Sequence, residues 1–219
     1  MTKPVVIEYY SDILCVWAWI AQRRIEELND KLAGKIELRY HYLDVFGDAS
    51  NKIPNQWQEK GGFLGFASHV HKAAKPYPDA PINAELWQDI RPNTSANAHL
   101  VLKAVELSNG KEKSIELALL IRKAFFVESQ DIGLLPVLFS LVELAGIDAE
   151  QVNKVINDGS AMALLMADYQ QAKALSLKGS PSYIIDNGRQ VLYGNVGYRV
   201  LLANIEEHIK QPTEEASWC

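Results

Sequence analysis

The strand patterns of this chain fall near its two ends and almost nowhere between, and that placement constrains the fold more than anything else in it. Val5 to Tyr10 is a β-branched and aromatic run, and Ile36 to Leu43 alternates and is rich in strand formers. Ser11 and Asp12 break the first run and offer N-cap chemistry. From Cys15 to about Leu32 the apolar positions Ala18, Ala21, Ile25, Leu28 and Leu32 recur three or four apart, and Gly34 ends the run. The opening is therefore β-α-β, with a helix long enough for a parallel crossover. Near the other end, Ser182 to Ile185 and Gln190 to Tyr193 flank Asp186-Asn187-Gly188-Arg189. Asn-Gly between two such runs predicts a hairpin. Tyr198 to Ile209 is an amphipathic helix, and the tail Gln211 to Cys219 is polar except for Trp218.

The middle reads as helix after helix. Periodic apolar positions run over Thr94–Ser108, Lys113–Val127, Leu134–Ala145, Asp148–Asn157 and Ser160–Leu175, with Gly110 and Gly146 as stops. The Pro-rich stretch Lys75–Ile82 is a loop between helices. No repeat period and no low-complexity segment stands out. The expected division is residues 1–54, a helical insertion over 55–178, a returning half over 179–211, and a tail over 212–219.

With 219 residues and 48% apolar content, the chain can bury a substantial core. A net charge of −5 argues against nucleic-acid binding, because there is no basic excess to neutralise phosphates. No apolar run approaches the length of a bilayer span, and the first residues read as a strand rather than an export signal. The expected location is the cytoplasm. Five scattered histidines, with His69 and His71 two apart on different sides of a helix, do not make a metal set, so no metal is expected. Two cysteines at opposite ends of the chain do not make a disulfide framework.

Cys15 falls at the strand-to-helix turn. Backbone N–H groups and the positive helix end favour a thiolate there, although a buried free cysteine can also serve as a small hydrophobe. With Trp17 and Ala18 leaving it reachable, the thiol is expected below the ordinary ~8.5, and Asp12 opposes that shift if it lies close.

The segment Ser11-Asp12-Ile13-Leu14-Cys15-Val16-Trp17-Ala18 resembles the active-site turn of the DsbA-like superfamily, S-D-x-x-C-P-W-C in its FrnE-type members. Cys15 matches the attacking cysteine, Ala18 stands at the resolving position, and Val16 replaces the proline. The turn is also similar to that of the class kappa glutathione transferases and 2-hydroxychromene-2-carboxylate isomerases, where a serine takes the first position. Leu43 to Pro54 resembles their loop ending in G-N-[KR]-P-P, which implies a glutathione contact for Asn51; any turn rich in Gly, Asp, Ser and Asn would look alike. Asn93 to His99 resembles their N-T/S-x-x-A-H segment, or is simply an N-cap followed by a helix. Gly179-Ser180-Pro181-Ser182 resembles the motif that holds the fold's cis-proline, whose preceding residue pairs with an extended substrate. Gly197-Tyr198-Arg199 stands where kappa-type enzymes place Ser-Asp.

The resemblance implies an α/β thioredoxin fold, β-α-β then β-β-α, with a large all-helical insertion. It implies an enzyme: a thiol-disulfide oxidoreductase working through the single thiol Cys15, with glutathione as cosubstrate. Asn51, Ser180, Pro181 and Trp17 would bind glutathione or another small thiol or disulfide. A glutathione-dependent isomerase or transferase and a non-catalytic binding protein are the alternatives, and a homodimer is left open. Trp17, Trp19, Trp57, Phe63 and Trp87 either line an apolar pocket or pack the core.

Overall fold

The computed structural model describes residues 3–210. β1 (Val5–Ser11), α1 (Val16–Lys31) and β2 (Ile36–Tyr42) form the opening unit, and β3 (Ser182–Ile185), β4 (Gln190–Tyr193) and α9 (Tyr198–Lys210) the closing one. Their strands make one sheet of order β2-β1-β3-β4. β1 runs parallel to β2 and antiparallel to β3, and β4 pairs antiparallel with β3. At the β3–β4 turn the Arg189 amide donates to the Asp186 carbonyl at 3.2 Å around Asn187 and Gly188, both in the left-handed region. This is the geometry for which Asn-Gly is chosen.

Side chains alternate across β1. Ile7 and Tyr9 face a core made with Ala21, Ile25 and Leu28 of α1 and Leu201 and Ile205 of α9. Tyr10 turns the other way, toward Leu43, Ile184 and Ala172. Between the two units lie α2 (Ala49–Gln56), a short 3₁₀ turn, α3 (Gly62–Ala74), α4 (Ala96–Asn109), α5 (Lys111–Phe126), α6 (Leu135–Leu144), α7 (Ala149–Asn157) and α8 (Ser160–Ala174). The stretch 43–54, expected as a loop, is helical from Ala49, and α2 tolerates Pro54 near its end. The Cys15 turn is not capped by Ser11 or Asp12 as expected. Cys15 itself is the N-cap of α1, without a side-chain cap bond.

The helical segment shares a core with the turn. Ile13, Leu14, Val16, Trp19 and Ile20 pack in one apolar cluster with α2 to α8. Trp87 is fully buried within it among Phe46, Phe63, Phe66 and Phe125, and Trp19 stacks on Phe126. These aromatic residues pack the core rather than line a pocket.

A ladder of alternating charges fastens the outer side of the sheet to the helices. It runs Glu37, Arg39, Glu8, His41, Asp168, Lys103, Glu106, with successive separations of 2.8, 3.2, 2.6, 2.8, 2.9 and 2.9 Å. Asp168 also accepts the outward Tyr42 amide at 2.9 Å, and Lys103 reaches the Tyr40 carbonyl at 3.5 Å. An ion pair from α8 and α4 thus covers part of the β2 edge that another strand would otherwise occupy.

Candidate active site

The end of β1 delivers the chain into a tight turn whose four amides all have acceptors. Asp12 N–H donates to Ser180 Oγ (2.9 Å), Ile13 N–H to His99 Nε2 (3.0 Å), Leu14 N–H to Asp12 Oδ1 (2.9 Å) and Cys15 N–H to the Asp12 carbonyl (3.1 Å). Cys15 is 5% exposed and its Sγ–H donates to the Ser180 carbonyl at 3.3 Å. The Ser180–Pro181 peptide is cis, as its sequence context predicts. Cys15, Ser180 and Pro181 therefore meet across 165 residues of chain. Trp17 flanks the thiol, half-buried against the helical core.

Asn51 lies on α2, exposed, and its amide donates to Asp48 Oδ1 at 2.9 Å. Its expected place in a loop is therefore corrected to the first turns of a helix. Cys219, the other cysteine of the chain, lies outside the described residues.

The thiol differs from expectation in both access and charge. Burial raises the Cys15 pKa. The Ser180 side chain and the Ala18 amide oppose that rise, Asp12 adds to it, and the Trp17 amide opposes it again. The amides of the first helical turn do favour the thiolate, as the position at a helix N-terminus predicts. They are outweighed because the sulfur has lost its water.

Asp12 is the knot of the site. Beyond Leu14, its Oδ2 accepts the Phe46 amide at 2.8 Å and the Ser95 hydroxyl at 2.8 Å, which joins the turn to the β2–α2 connection and to the start of α4. Burial pushes its carboxyl up to about 6 even so, although the Phe46, Leu14 and Ser95 bonds and Lys52 favour the charged form. The segment Asn93–His99 is accordingly more than an N-cap. Thr94 caps the Ala96 amide at 2.9 Å, Ser95 is committed to Asp12, and His99 reaches the Ile13 amide. Arg122, from α5, lies buried behind the turn and donates to Ser11 Oγ (2.9 Å) and Gln22 Oε1 (3.1 Å). Asp12 and the 93–99 segment both stand in the sequence motifs, but which groups they bond could not be read from them. Arg122 carries no local signal at all. Among the described residues no group of His, Cys, Asp and Glu could hold a metal ion. No helix of the described residues is long and apolar enough to cross a membrane.

A cysteine at the junction of a parallel strand and a helix, opposite a cis-proline, defines a thioredoxin-fold thiol protein. The chain belongs to the DSBA-like thioredoxin domain family, whose sequence profile matches residues 6–206. Its fold is similar to that of the cytosolic disulfide reductase DsbM from Pseudomonas aeruginosa, at 19% identity and a TM-score of 0.72 over 94% of this chain and 100% of that one. DsbM has also been solved with GSH. A 2-hydroxychromene-2-carboxylate isomerase shares the fold at 15% identity and a TM-score of 0.64, over 94% and 97% of the two chains. Among curated proteins, the ClpXP adapter protein SpxH from Halalkalibacterium halodurans is 20% identical over 185 residues, 84% of this chain. The chain spans 60% of the length of that curated relative.

Proposed function

We propose that this protein is a cytoplasmic thiol-disulfide oxidoreductase that works through the single thiol Cys15, with glutathione as the small thiol. The observation that carries this is the placement of Cys15 Sγ 3.3 Å from the carbonyl of Ser180, beside the cis peptide to Pro181. An extended disulfide lying along residues 180 and 181 would bring its sulfur to the thiol. Cys15 gives up its proton and attacks one sulfur of oxidised glutathione. A mixed disulfide forms and one glutathione leaves as the thiolate, which takes a proton from solvent. A second thiol then attacks the mixed disulfide and returns Cys15 to its reduced form. Ala18 supplies no sulfur, so that second thiol comes from solution. Ser180, Pro181 and Trp17 would contact the bound tripeptide, and Asn51 would add one hydrogen bond after releasing Asp48.

The expected result is a glutathione adduct on Cys15, seen by mass spectrometry after treatment with oxidised glutathione, with reduced glutathione binding measurable by calorimetry. The alkylation rate of Cys15 against pH should give a midpoint above the ordinary ~8.5, because burial dominates the thiol. Glutathione binding without an adduct would replace exchange by an isomerase or transferase reaction. Neither binding nor an adduct at millimolar glutathione would leave a thioredoxin-fold binding protein, for which the adapter role named for SpxH is a precedent.

A further inference from the structure

We infer that His99 is a positioning residue for the Cys15 turn, acting as a neutral imidazole protonated on Nδ1 that accepts the Ile13 amide. The inference rests on Cys15 being the working thiol. Three of the four turn amides find acceptors in the turn itself or in the cis-proline loop facing it. The fourth, from Ile13, reaches 86 residues along the chain to Nε2 of His99 on α4. A ring nitrogen that accepts an amide proton presents its lone pair, so in the neutral ring the proton sits on the other nitrogen.

The surroundings agree with that tautomer. His99 Nδ1 lies 2.9 Å from the Tyr169 hydroxyl of α8, so the Nδ1–H donates there. Tyr42 stacks on the ring with centroids 4.6 Å apart and planes 16° apart, which fixes its orientation. Burial drives the ring down to about 3, helped by the positive charges of Arg122 and Lys103 against the opposing Asp168. Asp12 Oδ1 is 3.9 Å from Nε2, but that nitrogen has no proton to offer, so the two are neighbours rather than an ion pair.

Ile13 is fully buried, so its amide has no water to turn to if His99 fails it. The turn would then rotate toward another acceptor. Cys15, two residues on, would leave the Ser180 carbonyl and gain solvent. A residue that does not hydrogen-bond the sulfur thus sets the sulfur's environment.

The test compares His99→Leu, which removes the acceptor, with His99→Gln, whose side-chain oxygen can occupy the place of Nε2. In His99→Leu the Cys15 alkylation midpoint should fall toward the ordinary thiol value, and alkylation at neutral pH should speed up about fivefold, the equilibrium equivalent of one hydrogen bond. His99→Gln should restore the slow wild-type profile. A wild-type profile in folded His99→Leu would overturn the inference and reduce His99 to core packing. Should His99→Leu fail to fold, nitrogen NMR of the wild-type ring and Tyr169→Phe decide the matter. The ring must read as Nδ1–H, and Tyr169→Phe must speed alkylation. An Nε2–H ring would overturn the inference. Alkylation needs only the thiol, so these results are independent of whether glutathione disulfide reacts.

Discussion

Alanine at position 18 decides what Cys15 can do. Ala18 lies one helical turn after Cys15, with its amide on the Cys15 carbonyl at 3.1 Å, and it is fully buried. Ala18→Cys should place a second sulfur on the same face, within reach of the first. After mild oxidation the variant is expected to carry an internal disulfide between 15 and 18, read as the loss of two free thiols in a peptide map. The wild type should instead carry only adducts at Cys15. A variant that keeps both thiols free would show that the turn holds them apart. At this scale the sequence makes Cys15, Ser180 and Pro181 legible, because each sits in a local signal: a strand-to-helix turn, and a Gly-Ser-Pro-Ser segment before a hairpin. The bonds of Asp12 to Ser95 and Phe46, and of His99 to Ile13, are not legible. They join residues 83, 34 and 86 apart, and nothing local encodes such pairs. The expectation of a lowered thiol pKa fails for a related reason. Position at a helix N-terminus is local, whereas desolvation depends on everything packed above it.

Between elements, His41 links β1 and β2 to α8 by bridging Glu8 and Asp168. Burial alone would depress its pKa, but the bonds to Asp168 and Glu8 outweigh burial and raise it. The folded state therefore holds the proton more tightly than the unfolded chain. The resulting stabilisation is complete below the unfolded value of about 6.5 and is lost as pH rises through the folded value. His41→Leu should cost about 2 kcal/mol near pH 6, where Glu8 and Asp168 each lose one charged partner and keep only Arg39 and Lys103, and distinctly less near pH 9. Urea midpoints of both proteins at both pH values measure this, and a cost independent of pH would remove His41 from the ladder. The strands, α1 and α4 to α9 follow from periodicity to within a few residues. Helix α2 does not, and α3 follows only as the helix implied before the Lys75–Ile82 loop. Pro54 comes near the end of α2, and Gly65 lets α3 approach its neighbour. A Cβ at Gly65 would lie 1.7 Å from the Lys60 carbonyl oxygen, so that glycine records close approach rather than a turn.

For the molecule as a whole, the sheet keeps a core of its own with α1 and α9, but the start of α1 and the far face of the sheet tie it to the interior of the inserted helices. The residues just before and within the start of α1 belong to the same apolar cluster as α2 to α8, and Arg122 of α5 is bonded to Ser11 and Gln22. Unfolding should accordingly be a single transition. Far-ultraviolet circular dichroism, dominated by the helices, should coincide with a thiol-accessibility curve for Cys15. Helix loss at lower denaturant than thiol exposure would show two units instead. The covered edge of β2 has a consequence for self-association. A strand arriving there must evict a buried lysine and aspartate from the groups they satisfy, whereas among the described residues β4 offers an open margin bearing Val191 and Tyr193. The sheet thus has one fastened hem and one free one. Two copies joined free hem to free hem would present a fastened hem at each outer side, which disfavours growth by strand addition beyond a pair.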